Sequence, residues 1–418
     1  MKIDLNQLKK PCSCGRPHDI SVEEILIESG AINAIPEWLA GKGFAKPVMI
    51  CDEHTYEAAG KAVLALLGDI PVICLDLKGL HADERAVALV AERLGESDIL
   101  LAVGSGTIHD ATRYTAHERG IPFLSVPTAA SVDGFVSTVA AMTWYGYKKT
   151  LPAVAPIAVF ADTDIFSKAP LRLSASGYAD LSGKYTALAD WKASALITGE
   201  YICDTLCEME ISAIETVSKN LDGIRAGEAY ACEQLMYGLI LSGLAMQMIG
   251  NSRPASGAEH HFSHLWEMEA INGHVDAYHG EKVGVGLKAA ADIYHRLADY
   301  IDSGNCGLSD YSGIETELLA NFKSPDVHRQ IMEENAVDPL AAVDRELFVK
   351  KLPEFAKILR EVPDGEEIAA LLRKVGAPVT MEDIGLSGAL IPMTAKLSPY
   401  VRRRLTCMRL LKLTDFEV

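Results

Sequence analysis

The sequence predicts an α/β amino-terminal half, a doubly wound parallel sheet, followed by an all-α domain. Three observations carry that reading. Through about residue 165, short apolar runs alternate with amphipathic stretches. Beyond Pro170 strand signals nearly vanish, and long 3.6-residue periodicities replace them. Finally, 418 residues exceed the roughly 250–300 that one hydrophobic core usually holds.

Val48-Met49-Ile50-Cys51, Pro71-Val72-Ile73-Cys74, Asp98 to Val103 and Pro122 to Val126 are short apolar runs bounded by turn residues, the pattern of buried strands. Between them His54 to Leu67, Asp83 to Leu94 and Thr107 to Arg119 carry helical spacing. Such alternation builds a Rossmann-like sheet with helices on both faces. Phe135 to Lys149 breaks the rhythm with β-branched and aromatic residues and reads as a β-hairpin, after which Ile157 to Phe160 returns to the core as a strand. Ser174 to Leu196, Asp204 to Asn220, Ala229 to Ile249 and Glu281 to Leu297 read as helices. The expected division is therefore 1–168, the dinucleotide-binding part, and 169–418, a helical metal- and substrate-binding part.

Composition narrows the function. A formal net charge of −18, from 57 acidic and 39 basic residues, repels polyanions, so neither nucleic acid nor an anionic membrane surface is an expected partner. The basic run Arg402-Arg403-Arg404 is expected on a solvated face of a helix-like stretch. The opening lacks an apolar segment of signal-peptide length, and no run reaches about 18 apolar residues, which predicts a cytoplasmic chain without stable membrane insertion. Nine scattered cysteines fit reduced thiols. Their one local cluster, Cys12-Ser13-Cys14-Gly15-Arg16-Pro17-His18, can grip a soft metal in principle, but structural zinc sites usually take four ligands at wider spacing. A plain loop is the expectation there.

After the strand ending at Val103 comes Gly104-Ser105-Gly106-Thr107-Ile108-His109-Asp110, opening a helix. Glycines allow the sharp turn, and a helix amino terminus offers N–H groups to a pyrophosphate. Asp52 closes an earlier strand, placed either to accept from an adenosine ribose or to cap the helix that follows. Pro127-Thr128-Ala129-Ala130-Ser131-Val132-Asp133-Gly134 is a second small-residue loop at the carboxyl end of a strand, the edge where ligands gather in open α/β sheets.

In the helical half, Ser252 to His264 places His260 and His264 four residues apart on one helix face, with His279 fifteen residues later. Five of twelve histidines, at 260, 261, 264, 274 and 279, fall within twenty residues. Imidazoles converging with one carboxylate are the donor set of a catalytic divalent metal. Asp180, in the small and apolar Gly177-Tyr178-Ala179-Asp180-Leu181-Ser182-Gly183-Lys184, is a candidate acid, since an unpaired carboxylate there is costly. An exposed helical acid is the alternative.

At these residues the chain resembles the sn-glycerol-1-phosphate dehydrogenases, within the larger group of iron-containing alcohol dehydrogenases, glycerol dehydrogenases and dehydroquinate synthases. The motifs are GSGTIHD, PTAASVDGFVS, GYADLSGKYTALADW, SRPASGAEHHFSH and HGEKVGVG, spanning roughly residues 45 to 295, and SRPASGAEH with TAASxDG look like the bacterial members. The resemblance implies a dehydroquinate synthase-like fold and an oxidoreductase that uses NAD(P)H to reduce dihydroxyacetone phosphate to glycerol-1-phosphate, in phospholipid biosynthesis. It implies one divalent metal per subunit, zinc or nickel ahead of iron, on Asp180, His260 and His279, with His261 the only rival for the second place. Gly104, Gly106 to Asp110, Thr128 to Ser131 (with Ala129 and Ala130) and Ser137 match cofactor positions; Asp133, Asp180 and His264 match substrate positions. His264 is placed to orient substrate, to relay a proton, or equally to support His260. Arg253 ranks first for the substrate phosphate, ahead of Lys184 and Lys282. A homodimer or larger assembly is implied. Ser105 departs from the pattern, standing where many relatives carry a middle glycine. The rivals are a glycerol or small-polyol dehydrogenase on the same scaffold, a dehydroquinate synthase-like cyclisation, and a non-catalytic metal-binding scaffold.

Overall fold

The computed structural model describes residues 3–76, 79–314, 320, 322 and 324–418. The chain forms two compact units, Met1–Leu181 with Ser212–Asn251, and Ser182–Ile211 with Ser252–Val418. The division expected at 168/169 is linear, whereas these units are interleaved along the chain.

The first unit holds strands β1 (Glu24–Glu28), β2 (Pro47–Cys51), β3 (Val72–Cys74), β4 (Ile99–Gly104), β5 (Phe123–Pro127), β6 (Val139–Trp144), β7 (Tyr147–Pro152) and β8 (Ala158–Asp162). Six of them form a sheet in the order β1-β8-β5-β4-β2-β3, parallel throughout, with Leu101 beside Leu124 and Gly104 beside Pro127. Helices α1 (Ile35–Lys42), α2 (Lys61–Leu67), α3 (Glu84–Arg93) and α4 (Gly106–Arg119) cover both faces. Met49, Leu101, Val103, Leu124 and Phe160 pack with Ile35, Leu39 and Val63 on one side. Val48, Ile50, Leu100, Ala102 and Phe123 pack with Ala86, Val90, Ile108 and Ala111 on the other. Two buried faces explain why these strands read as unbroken apolar runs.

The expected hairpin is present as β6 and β7, antiparallel with Trp144 opposite Tyr147; its turn residues Tyr145 and Gly146 both have positive φ, the two-residue hairpin geometry. Strand β1 was not anticipated. Its sequence EILIE offers only three apolar residues between acids, and it lies at the sheet edge beside β8.

The stretch expected as one helix from Ser174 to Leu196 is two, α5 (Leu171–Ser182) and α6 (Lys184–Thr198), broken at Gly183. α5 belongs with the sheet because Gly177 sits against the loop after β5: a Cβ there would lie 2.0 Å from the Ala130 carbonyl oxygen. Helix α7 (Asp204–Ser218) precedes α8 (Ala229–Ile249), which also belongs to the first unit; Ser242 Oγ donates to Asp133 Oδ2 at 3.2 Å.

The second unit is built from α6 with α9 (Ala258–Glu267), α10 (His279–Asp302), α11 (Arg345–Leu359) and α12 (Gly365–Val375). Asp190 on α6 is its polar hub. Its carboxylate accepts from Tyr294 Oη at 2.6 Å and from the Cys407 and Ala258 N–H groups, both at 2.7 Å. Arg402 to Arg404 do not form the expected helix face: they lie in a bend, and Arg404 donates to the Ser252 and Ser256 carbonyls. Those carbonyls in the turn before α9 need donors, and that need overrides the amphipathic pattern. Among the described residues, no helix is long and apolar enough to cross a membrane.

Candidate active site

In the first unit the candidate cofactor residues gather at the carboxyl edge of the sheet. The chain goes from β2 outward to β3 and returns to β4 on the other side of β2, which makes the β2/β4 edge the switch point where nucleotides bind in such sheets. Asp52 follows β2 and Gly104 ends β4. Asp52 Oδ1 caps the next turn by accepting the Thr55 N–H at 2.8 Å, while Thr55 Oγ1 accepts the Asp52 N–H at 2.9 Å. The capping reading of Asp52 is the one seen, and the residue stands at the carboxyl end of its strand.

At the β4–α4 turn, a Cβ on Gly104 would lie 2.6 Å from Ile108, so only glycine lets the helix start this close to its strand. Ser105 is the N-cap and makes no side-chain capping bond, which leaves the amino terminus of α4, with Gly106 and Thr107, suited to an anion. His109 and Ile108 serve the turn itself. Ile108 is buried in the core. His109 is buried, with Nδ1 2.9 Å from the Ser105 carbonyl and Nε2 2.7 Å from Ser125 Oγ; burial pushes its pKa down to about 3, keeping it a neutral brace. Asp110 pairs with the buried Arg113 at 3.5 Å. The Ile108 and His109 side chains thus hold the turn whose backbone is the candidate cofactor loop.

The loop after β5 holds Thr128, whose N–H donates to the Gly104 carbonyl at 3.0 Å, then Ala129, Ala130 and Ser131. Ser131 Oγ is buried with no hydrogen-bond partner among the described residues. A buried hydroxyl in that state is expected to meet a ligand or water. Ser137 Oγ accepts the Val139 N–H at 3.1 Å. Asp180, fully buried, accepts the Asp133 N–H at 2.9 Å through Oδ2, which ties the candidate acid to the candidate cofactor loop. It lies in the last turn of α5, where the chain passes into the second unit.

In the second unit, α9 and the amino terminus of α10 bring three imidazoles together. The ring centroids of His260 and His279 are 5.2 Å apart, those of His260 and His264 5.8 Å, and those of His264 and His279 5.7 Å. His260 Nδ1 is 2.7 Å from Glu259 Oε1, and His279 Nδ1 is 2.6 Å from Glu267 Oε1. Carboxylate oxygens accept, so both Nδ1 atoms donate, and in the neutral ring that puts the lone pair on Nε2. Metal-ligating histidines are held in this way, so the donor set fits a divalent transition metal. Glu259 is itself fixed by Thr186 Oγ1 at 2.5 Å and the Gly257 N–H at 2.7 Å. Burial works to raise its carboxyl pKa, but these bonds and His260 outweigh it and hold the group below the usual range.

His261 stands apart from this group. Both of its ring nitrogens are buried without a hydrogen-bond partner among the described residues, and burial keeps the ring neutral. Arg253 is also committed elsewhere: Nε and Nη2 reach the Glu200 carboxylate at 2.9 and 2.5 Å, and Nη1 reaches the Leu405 carbonyl at 2.8 Å. That corrects its ranking as first candidate for a substrate phosphate, because its donors already tie two loops together. Lys184 and Lys282 are both buried. Glu259 and Glu267 were missed by sequence reasoning, although their positions beside His260 and three residues after His264 were signals.

Residues 26–170, the strand-helix part of the chain, match the family described as iron-containing alcohol dehydrogenase. A probable glycerol dehydrogenase from Sinorhizobium meliloti 1021 shares the fold at a TM-score of 0.60 and 19% identity, covering 94% of this chain and 97% of that one. The glycerol-1-phosphate dehydrogenase (NAD(P)+) of Geobacillus thermodenitrificans is 34% identical over 93% of this chain and 92% of its own length. That of Bacillus licheniformis is 33% identical over 96% and 91%. The chain belongs to the glycerol-1-phosphate dehydrogenase family, an oxidoreductase family.

Proposed function

We propose that this chain reduces dihydroxyacetone phosphate to sn-glycerol-1-phosphate with NAD(P)H, using one divalent metal, zinc or nickel, held by Asp180, His260 and His279. The observation that carries the metal reading is the pair of Nδ1-to-carboxylate bonds that orient the rings of His260 and His279. The bound metal supplies Lewis-acid polarisation of the C2 ketone oxygen, and the nicotinamide supplies the hydride.

The protein's own part is binding, orientation and proton handling. The uncapped start of α4, with Gly104, Gly106 and Thr107, receives the pyrophosphate; Asp52 accepts from the ribose; Thr128 to Ser131 and Ser137 line the cofactor. His264, one helical turn from His260, orients the substrate or delivers a proton to the oxygen at C2. Asp133 positions the substrate hydroxyl and, through its N–H, Asp180. Lys184 and Lys282 are the cations assigned to the phosphate. The reading includes a cytoplasmic homo-oligomer, whose assembly light scattering on the purified chain checks.

The deciding experiment pairs elemental analysis with NADH and NADPH oxidation assays on dihydroxyacetone phosphate and on dihydroxyacetone. A strong preference for the phosphorylated ketone, dependent on bound metal, is expected. Preference for the unphosphorylated ketone would move the assignment to a small-polyol dehydrogenase.

A further inference from the structure

The segment ahead of β1 holds none of the candidate dehydrogenase residues, yet it gathers metal-binding atoms. One ligand atom each from Cys12, Cys14 and His18 lies within 4.8 Å of the others, and Cys14 Sγ is 3.3 Å from His18 Nε2. A tight turn makes this possible. Gly15 adopts a φ of +77° and donates its N–H to the Cys12 carbonyl at 3.1 Å, while the Arg16 N–H reaches Cys14 Sγ at 3.5 Å. Backbone N–H groups aimed at a sulfur favour its thiolate form, the form that binds metal.

His18 is aimed by the fold. It is buried, and its Nδ1 is 2.9 Å from the Met248 carbonyl oxygen. A carbonyl can only accept, so Nδ1 carries the proton, and once the ring is neutral it is Nε2, facing the Cys14 sulfur, that can bind a metal. Met248 lies in the last turn of α8, where helix carbonyls lack intrahelical donors; the imidazole supplies one. The arrangement repeats, with a carbonyl in place of a carboxylate, the orientation seen at His260 and His279. The separation of 3.3 Å is near the sulfur–nitrogen edge of about 3.5 Å expected around a tetrahedral zinc with bonds of about 2.3 and 2.0 Å. Cys12 and His18 also line a cleft of about 630 Å³, an access route for an ion.

We propose that Cys12, Cys14 and His18 form a second metal site, for zinc or another soft divalent cation, that fastens the amino-terminal segment to the end of α8. The fourth position is filled by a further thiolate or by water. The objection from spacing, that three ligands so close in sequence reach poorly around one ion, is met by the turn at Gly15.

Cobalt(II) separates this site from the dehydrogenase metal, because only thiolate ligands give a near-ultraviolet sulfur-to-cobalt charge-transfer band. Metal-depleted full-length protein titrated with cobalt should bind two ions per chain, one of them with that band. The double variant Cys12→Ser/Cys14→Ser should bind one ion and lose the band, while retaining ketone reduction; His279→Ala should keep the band. Absence of the band in the unmodified chain, or its survival in the double variant, overturns the proposal and leaves a thiol–imidazole hydrogen bond. Should the double variant not fold, alkylation of the unmodified chain decides. Zinc should protect Cys12 and Cys14 at least tenfold, and equal labelling with and without zinc overturns the site.

Discussion

Glu267 Oε1 takes the Nδ1 proton of His279 at 2.6 Å, and the same oxygen accepts from Ser263 Oγ at 3.0 Å. The carboxylate thus fixes both the tautomer and the tilt of the imidazole. Replacing it by alanine should lower metal affinity about 10- to 100-fold, the usual cost of removing such a partner, measured by competition with a chromophoric chelator. Turnover per bound metal should change much less. Unaltered metal affinity in Glu267→Ala would mean that His279 is not a ligand.

His260 and His261 are neighbours with opposite surroundings. His260 is hydrogen bonded to Glu259, whereas His261 buries two ring nitrogens with no partner among the described residues. An unsatisfied buried polar group costs about 1–3 kcal/mol. His261→Leu should therefore keep its metal and melt at the same or a higher temperature, while His260→Ala should lose the metal. Elemental analysis and calorimetry on the two variants check this, and metal loss in His261→Leu would exchange the two assignments.

Much of this architecture was legible because buried parallel strands and amphipathic helices write their period into the chain. The runs around Val48, Leu100 and Phe123 and the helix Ala229–Ile249 are where pattern alone puts them. The edge strand β1 was not, since three apolar residues fit either a strand or a turn of helix. The interleaving of units was hidden because close approach, such as Gly177 on Ala130, leaves no periodic signal. At the site, clustering exposed the histidines, but the groups that aim them were silent: a glutamate beside a histidine reads equally well as a solvated charge until its partners are seen. The role of Arg253 was misjudged for the same reason, as proximity in sequence says nothing of Glu200.

That commitment changes what Arg253→Ala should do. Removing a 5% exposed guanidinium leaves the Leu405 carbonyl without its donor, a loss of about 1–3 kcal/mol, while Glu200, about a third exposed, exchanges its ion pair for water. The variant should show a lower denaturation midpoint, with the Michaelis constants for dihydroxyacetone phosphate and dihydroxyacetone altered alike. A rise confined to the phosphorylated ketone, with stability intact, would restore Arg253 as a phosphate ligand.

Asp190 gives the second unit a pH dependence of known sign. Burial first, and the charge of Glu259 next, push its carboxyl from an ordinary 3.8 up to about 6. Between those values the folded chain holds a proton that the unfolded chain has released, so this group's contribution to stability is present at low pH and is lost as pH rises toward 6. Asp190→Asn removes that titration. It also turns an amide donor toward the Ala258 N–H or the Cys407 N–H, a fixed cost of about 1–3 kcal/mol. The gap in unfolding free energy between the unmodified chain and the variant, measured with chelator present in both, should therefore be widest near pH 4 and shrink to the fixed cost above pH 6. A gap that is constant across this range would show that Asp190 stays ionised in its buried site, held there by Tyr294, Ala258 and Cys407.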